Sequence, residues 1–259
     1  MFKNKIAFIT GASSGFGEAC ARLFAEHGAK LILCARRNDR LEKLAKELYS
    51  DFKTETHIVK LDVRVRADVK SCIDSLPAEW KTIDVLINSA GLASGLGKVH
   101  EGDIDDWEAM IDTNVKGLLY LTRSVVPLMI NNGGNGHVIN IGSIAGIAAY
   151  PNGGVYCGSK AAVRLISDGL RIDLVDTNIR VTNIQPGLAE TEFSMVRFHG
   201  DEEKAAQVYK GIEALTGLDI AEIALFSANR PTHVQICEIT VTPTFQASAQ
   251  VVFKKEDGK

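Results

Sequence analysis

Lys5-Ile-Ala-Phe-Ile-Thr10 is an apolar run of strand length, and Thr10-Gly-Ala-Ser-Ser-Gly-Phe-Gly17 follows it at once. The pattern then turns helical over Glu18–His27. Strand, glycine turn and helix in that order commit the chain to a βα unit that can cradle phosphate. Gly11 permits the tight turn, and Gly15 and Gly17 let the backbone approach a pyrophosphate. The helix amino terminus adds free N–H groups and a partial positive charge. Ser13, Ser14 and Phe16 lie inside this turn and are expected to touch the same ligand.

Two other readings of the turn exist. It fits an ordinary glycine-rich connection, since its spacing is G-x3-G-x-G rather than G-x-G-x2-G. Gly11-Ala-Ser13-Ser-Gly15 also fits G-x-S-x-G, the nucleophile elbow of α/β-hydrolases. That elbow normally follows several strands, with its acid and histidine after it; here it follows the first strand. The second strand weighs toward a dinucleotide. Leu31-Ile-Leu-Cys-Ala35 ends in Arg36 and Arg37, where such a fold meets the adenosine ribose. An acid there bonds the 2′-hydroxyl of NAD, whereas a guanidinium fork suits the 2′-phosphate of NADP. The nearest acid is Asp39, so Arg36 and Arg37 point to NADP; the other reading is a solvated basic entry to the next helix. Arg40 is either a third contact or only part of the next helical turn.

Two further strands converge on the same edge. Val85-Leu-Ile-Asn88-Ser-Ala-Gly91 ends in small residues, which let a ring or ribose approach the backbone. Val138-Ile-Asn-Ile-Gly-Ser143 places a serine at a carboxyl end, where ligands of open α/β sheets sit. Ser143 fails as a hydrolase nucleophile, because Ile141 and Ala145 occupy the glycine positions of the elbow. Tyr156-Cys-Gly-Ser-Lys160 then sets a phenol and an ammonium on one helix face. A free tyrosine titrates near 10. A fixed cation lowers that value and makes the phenol an acid–base group for an alcohol or carbonyl. To work near pH 7 its pKa must fall by about 3, worth about 4 kcal/mol, and the available sources are Lys160 and the positively charged oxidised nicotinamide.

Taken as a set, Thr10–Gly17, Asn88–Gly91, Asn114, Ser143, Tyr156, Lys160 and Pro186-Gly187 resemble the single-domain short-chain dehydrogenases/reductases. The resemblance runs from about Lys5 to Pro243. It departs at Asn88-Ser-Ala-Gly91, where the family more often has Asn-Asn-Ala-Gly. Pro77–Trp80, Asp106–Asn114 and Glu192–Asp201 resemble the NADP-dependent 3-hydroxy acid (serine) dehydrogenase branch. The resemblance implies catalytic roles for Asn114, Ser143, Tyr156 and Lys160. Tyr156 moves the substrate proton, Ser143 orients the substrate oxygen and Lys160 holds the nicotinamide ribose. Asn114 locally opens its helix and seats a water that relays protons from Lys160. Cofactor contacts are further implied at Asp62, Val63, Asn88, Ala90, Gly91, Pro186, Gly187 and Thr191, with Tyr156 and Lys160. A homotetramer is expected. Its basis is the apolar surface of Asp105–Asn131 and Val155–Asp176, two helices that the family pairs into a four-helix bundle.

Strand candidates Lys5–Thr10, Lys30–Ala35, His57–Leu61, Val85–Asn88, His137–Ile141, Arg180–Gln185 and Gln235–Val241 alternate with helical patterns. Near-continuous apolar strands with helical crossovers predict a Rossmann-type, doubly wound α/β fold. Its seven-stranded parallel sheet carries helices on both faces. A chain of 259 residues, 46% hydrophobic, can bury such a core as one domain over 1–259. Net charge of −3 supplies no basic field for nucleic acid. No apolar stretch reaches the length of a membrane span or signal peptide. Five scattered cysteines give neither a disulfide frame nor a zinc motif. A cytoplasmic protein without metal is the expectation. His27, His57, His100, His137 and His233 share no spacing and read as structural or solvated.

Leu188–Gly217 is rich in polar residues and reads as a substrate lid, and the tail Thr244–Lys259 is expected to fray. Within the lid, Arg197 lies between Phe193 and Phe198, with His199 beside them. Arg197 is either a surface residue or the partner of a substrate carboxylate. The second choice predicts a short 3-hydroxy acid such as serine, allo-threonine or 3-hydroxypropionate. The rivals are a 3-oxoacyl thioester or other lipophilic ketone, and a non-catalytic NADP-binding sensor. A sensor has no use for the Asn114/Ser143/Tyr156/Lys160 set.

Overall fold

The computed structural model describes residues 2–254. Seven strands form one sheet: β1 Ile6–Thr10, β2 Lys30–Ala35, β3 Thr56–Lys60, β4 Ile83–Asn88, β5 Asn135–Ile141, β6 Asn178–Pro186 and β7 Glu238–Val241. All neighbours pair in parallel, in the order β3-β2-β1-β4-β5-β6-β7. The strand order reverses between β1 and β4, which opens a crevice at the carboxyl ends of the strands.

Alternation along each strand sends side chains to two cores. Ala7 and Ile9 of β1, with Leu31 and Leu33 of β2, pack under α1 Gly15–Glu26, α2 Asn38–Phe52 and α9 Gly217–Ala228. Ile6, Phe8, Ile32 and Cys34 face the other way. They meet Val69 and Ile73 of α3 Arg66–Asp74, and Leu121 and Val125 of α5 Leu118–Asn131. Burial on both faces is why these strands read as unbroken apolar runs. Among the described residues no helix is long and apolar enough to cross a membrane.

The sheet interior is not wholly apolar. Asn88, Asn140 and Asn183 stand in register across β4, β5 and β6. Asn88 Nδ2 donates to Asn140 Oδ1 at 2.9 Å and to Thr122 Oγ1 of α5 at 3.3 Å. Asn140 Nδ2 donates to Ser167 Oγ of α6 Gly154–Asp173 at 2.8 Å. Buried polar groups need such partners, and this chain of bonds fixes α5 and α6 against the site-bearing strands.

Three expectations need correction. The helix over Asp105–Asn131 is not one regular helix. It runs as α4 Ile104–Ile111, a π-helical turn Asp112–Gly117, and α5. The widened turn lets Asn114 reach the Leu92 backbone, and Gly117 gives room for Val63, whose Cγ2 would lie 2.7 Å from an added Cβ. The last strand starts at Glu238 rather than Gln235, because the Gln235 side chain itself accepts from Val181 N. The tail folds back rather than fraying, as far as residue 254. Gln246 bridges Val252, the Phe245 and Phe253 rings lie 6.0 Å apart, and Gln246 Oε1 accepts from Leu188 N at 2.7 Å. The rest of the expected frayed segment, 255–259, lies outside the described residues.

The segment after β6 makes an excursion that returns on itself. Leu215 N donates to Leu188 O, and Glu190 N to Leu215 O, closing its base. Inside it are α7 Phe193–Arg197 and α8 Glu202–Tyr209, helices that the polar composition did not reveal.

Candidate active site

The βα turn has the geometry expected of it. Gly11 and Gly15 sit at φ of +68° and +55°, the left-handed region that favours glycine. A Cβ on Gly17 would stand 2.4 Å from the Gly11 carbonyl oxygen, so only glycine lets α1 pack this close. Thr10 Oγ1 accepts from Ser89 N and Ala90 N, both at 3.0 Å, and ties the ends of β1 and β4 together at the crevice. A cleft of about 250 Å³ opens there. Its lining includes the expected Gly11, Ser13, Ser14, Gly15, Phe16, Arg36, Arg37, Asp62, Val63, Ala90, Gly91 and Thr191.

The basic end of the cleft is more ordered than the sequence implied. Arg37 donates from Nη2 to Ser14 Oγ at 2.7 Å and from Nε to Ser13 Oγ at 3.1 Å. Arg37 and Arg40 both grip Glu192, at 2.8 and 2.6 Å. Arg64, two residues from Asp62, holds the Asp62 carboxyl below the ordinary carboxylate range. Asn88, an expected contact, turns away from the cleft. Its side chain faces Asn140 and Thr122 inside the sheet, and Ser89 lines the cleft instead. The unusual Ser89 was the only sequence signal for that exchange. Thr113, Leu92 and Glu192 also line the cleft without having been singled out.

Asn114 from the π turn, Ser143 from the end of β5, and Tyr156 and Lys160 from α6 meet at the carboxyl edge. Gly91 is where two of them converge. A Cβ there would lie 3.3 Å from Asn114 Oδ1 and 3.4 Å from Lys160 Nζ. Asn114 Oδ1 accepts from Leu92 N and its Nδ2 donates to Leu92 O, both at 2.8 Å. Nδ2 also reaches Ser159 Oγ at 3.0 Å. Lys160 Nζ donates to Ile141 O at 2.9 Å. Burial pushes the Lys160 ammonium down to about 8. Ser143 starts a short 3₁₀ turn, with its Oγ accepting from Ala145 N at 3.1 Å.

Tyr156 departs from the expectation. Burial raises its phenol well above the ordinary tyrosine value. The Arg197 charge is the first influence that opposes this rise, and the Ser143 hydroxyl also opposes it. Lys160 stands 6.0 Å from the ring centre, with its proton donated to a carbonyl. Among the chain's own charges, the one that most opposes the rise is therefore Arg197, at the end of α7, and not Lys160.

A second cavity, about 210 Å³, holds Ser143, Tyr156, Tyr150, Gly187, Tyr209 and Arg197 in its wall. Phe16, Thr191 and Phe193 line both cavities and mark where they join. Pro186, Leu188 and Gln246 also line it. Arg197 reaches this wall from the end of α7. Its guanidinium carbon lies 5.1 Å from the Tyr156 ring centre and 5.0 Å from that of Phe193. Nη2 donates to Tyr150 Oη at 2.9 Å, while Nε is buried without a partner. His199 does not line this cavity; its Nε2 lies 3.4 Å from Asp106 Oδ2. Among the described residues no cluster could hold a metal ion.

The short chain dehydrogenase model matches residues 5–202. This chain belongs to the short-chain dehydrogenase family. It is therefore an oxidoreductase of CH–OH groups. Over 245 residues it is 49% identical to an NADP-dependent 3-hydroxy acid dehydrogenase of Salmonella typhi, covering 94% of this chain and 97% of that protein. A protein with the same name in Schizosaccharomyces pombe is 46% identical over 253 residues, covering 97% of both. Among solved structures, the closed form of a serine dehydrogenase complexed with NADP+ superposes with a TM-score of 0.89 at 45% identity. The match covers 97% of this chain and all of that one.

Proposed function

We propose that the protein is an NADP-dependent oxidoreductase that interconverts a short 3-hydroxy acid and its 3-oxo acid. Serine, allo-threonine and 3-hydroxypropionate are the substrate type. The buried, unpartnered Nε of Arg197, in the same small cavity as Ser143 and Tyr156, carries the substrate part of this reading. A buried polar group without a partner is costly. A carboxylate two carbons from the reacting carbinol would satisfy it with a charge-assisted pair.

The cleft fits NADP on its own features. The left-handed glycines, the close Gly17 contact and the open start of α1 make a cradle for the pyrophosphate. Arg36, Arg37 and Arg40 would hold the 2′-phosphate, with Asp62 and Val63 beside the adenine and Lys160 at the nicotinamide ribose. When bound, the cofactor takes or returns the hydride.

The remaining chemistry belongs to the chain. In oxidation Tyr156 takes the alcohol proton; in reduction it donates one. Ser143 donates a hydrogen bond to the substrate oxygen and orients it. Arg197 holds the carboxylate and, as a nearby cation, favours the Tyr156 phenolate. Asn114, braced on Leu92, keeps the widened turn open beside Lys160, so that a water can relay protons outward. The segment 188–217 acts as the lid. The chain works as one domain, 1–259, in a cytoplasmic homotetramer. Exposed Leu119 on α5 and Leu165 and Ile172 on α6 support the assembly, while Leu118, Leu121 and Val163 of the same two helices are buried within the chain.

A screen of 3-hydroxy acids against hydrophobic alcohols with NADP tests the reading. Turnover of the acids, with little on the alcohols, is expected. A preference for the alcohols would replace it with the lipophilic ketone reading.

A further inference from the structure

Glu192 holds two of the arginines assigned to the adenosine 2′-phosphate. Its Oε2 accepts from Arg37 Nη1 at 2.8 Å and its Oε1 from Arg40 Nη1 at 2.6 Å. It lines the same cleft as Arg36, Ser13 and Ser14. It is also the residue immediately before α7, whose last residue is Arg197. One short helix thus begins at an anion on the cofactor arginines and ends at a cation in the substrate cavity.

We propose that Glu192 is an internal competitor for the 2′-phosphate of NADP(H). Its carboxylate holds Arg37 and Arg40 until the phosphate displaces it, which lowers cofactor affinity and speeds cofactor release. The inference rests on the NADP reading given above. Both ion pairs are about half exposed, at side-chain exposures of 40–44%, and such pairs are individually weak. A phosphate brings more charge and three acceptor oxygens, so it wins the forks. It does so against a like charge that cannot stay on the same donors without repulsion. Burial alone would raise the Glu192 carboxyl, but Arg37 and Arg40 hold it below the ordinary range, so it is an anion at neutral pH. NAD(H) lacks the phosphate and leaves both ion pairs in place. The competition therefore acts on one cofactor only.

The test is binding, read by nicotinamide fluorescence for NADPH and NADH with parent enzyme, Glu192→Gln and Glu192→Ala. Removing the competing charge is expected to tighten NADPH about tenfold in both variants, the scale of two weak ion pairs, and to slow its dissociation in a chase. NADH affinity should change by less than about twofold on the same argument. If the parent prefers NADPH and both variants bind it no tighter, or tighten NADPH and NADH alike, Glu192 is not a competitor. If the parent binds NADH as tightly as NADPH, the NADP reading itself fails and this inference falls with it.

Discussion

The guanidinium carbon of Arg197 lies 5.1 Å from the centre of the Tyr156 ring, across the cavity that both residues line. Arg197, at the end of α7, is thereby the leading cation acting on the Tyr156 phenol, ahead of the lysine one turn away on the same helix. In the proposed function, substrate recognition and proton transfer are linked through this one side chain.

Tyr156→Phe removes only the titrating oxygen and keeps the ring against Phe193, 5.6 Å between centres. Turnover should fall by about 10²–10⁴, the usual scale of lost acid–base catalysis. NADPH binding should stay nearly intact. Activity within a few fold of the parent would remove Tyr156 from the proton-transfer role.

Replacing Arg36 and Arg37 with neutral residues should weaken NADPH far more than NADH. A charge-assisted hydrogen bond contributes about 1.5–3 kcal/mol. Fluorescence titration with both cofactors measures the ratio, and equal losses would show that neither arginine reads the phosphate.

Lys160 gives a stability signature. Its ammonium falls from 10.5 to about 8 because it is buried. The unfolded lysine holds its proton up to about pH 10.4. Below pH 8 the folded state carries a buried charge, a cost of about 3 kcal/mol. Between pH 8 and about 10.4 the unfolded state binds more protons, so this group's cost shrinks as pH rises. Lys160→Met should therefore be more stable than the parent at pH 7, and the gap should narrow toward pH 10, in denaturant titrations of free protein. A gap independent of pH would mean that Lys160 does not titrate in that range.

The fold was legible because burial on both sheet faces writes long apolar strands, and because left-handed φ at Gly11 and Gly15 forces glycine. That Ser143, Tyr156 and Lys160 would gather at one edge was legible from strand ends and helical spacing, and Asn114 beside them only from the family resemblance; the structure brings Asn114 Oδ1 and Lys160 Nζ together at Gly91. The part that Arg197 plays in the pull on Tyr156 was not legible. Helical spacing brings Lys160 near in sequence, yet its Nζ turns to Ile141 O. Nor does spacing say that an excursion of two short helices delivers Arg197 to the opposite wall. The π turn at Asp112–Gly117 was also hidden, since its cause is the distant Leu92 backbone that Asn114 grips.

Assembly has a direct check. Leu165 and Ile172, seven residues apart on α6, are 67% and 72% exposed in the single chain. Light scattering at micromolar concentration should give a tetramer, and Leu165→Glu with Ile172→Glu should reduce its mass. A monomeric parent would refute the assembly.

The most direct test of the central claim compares Arg197→Met with the parent on serine and on an uncharged short alcohol, both with NADP. Loss of the bidentate partner should raise the KM for serine by about 100-fold, while the KM for the alcohol stays within about threefold. The kcat should fall for both, because Tyr156 loses its leading cation. A similar rise in KM for both substrates, or for neither, would contradict the account.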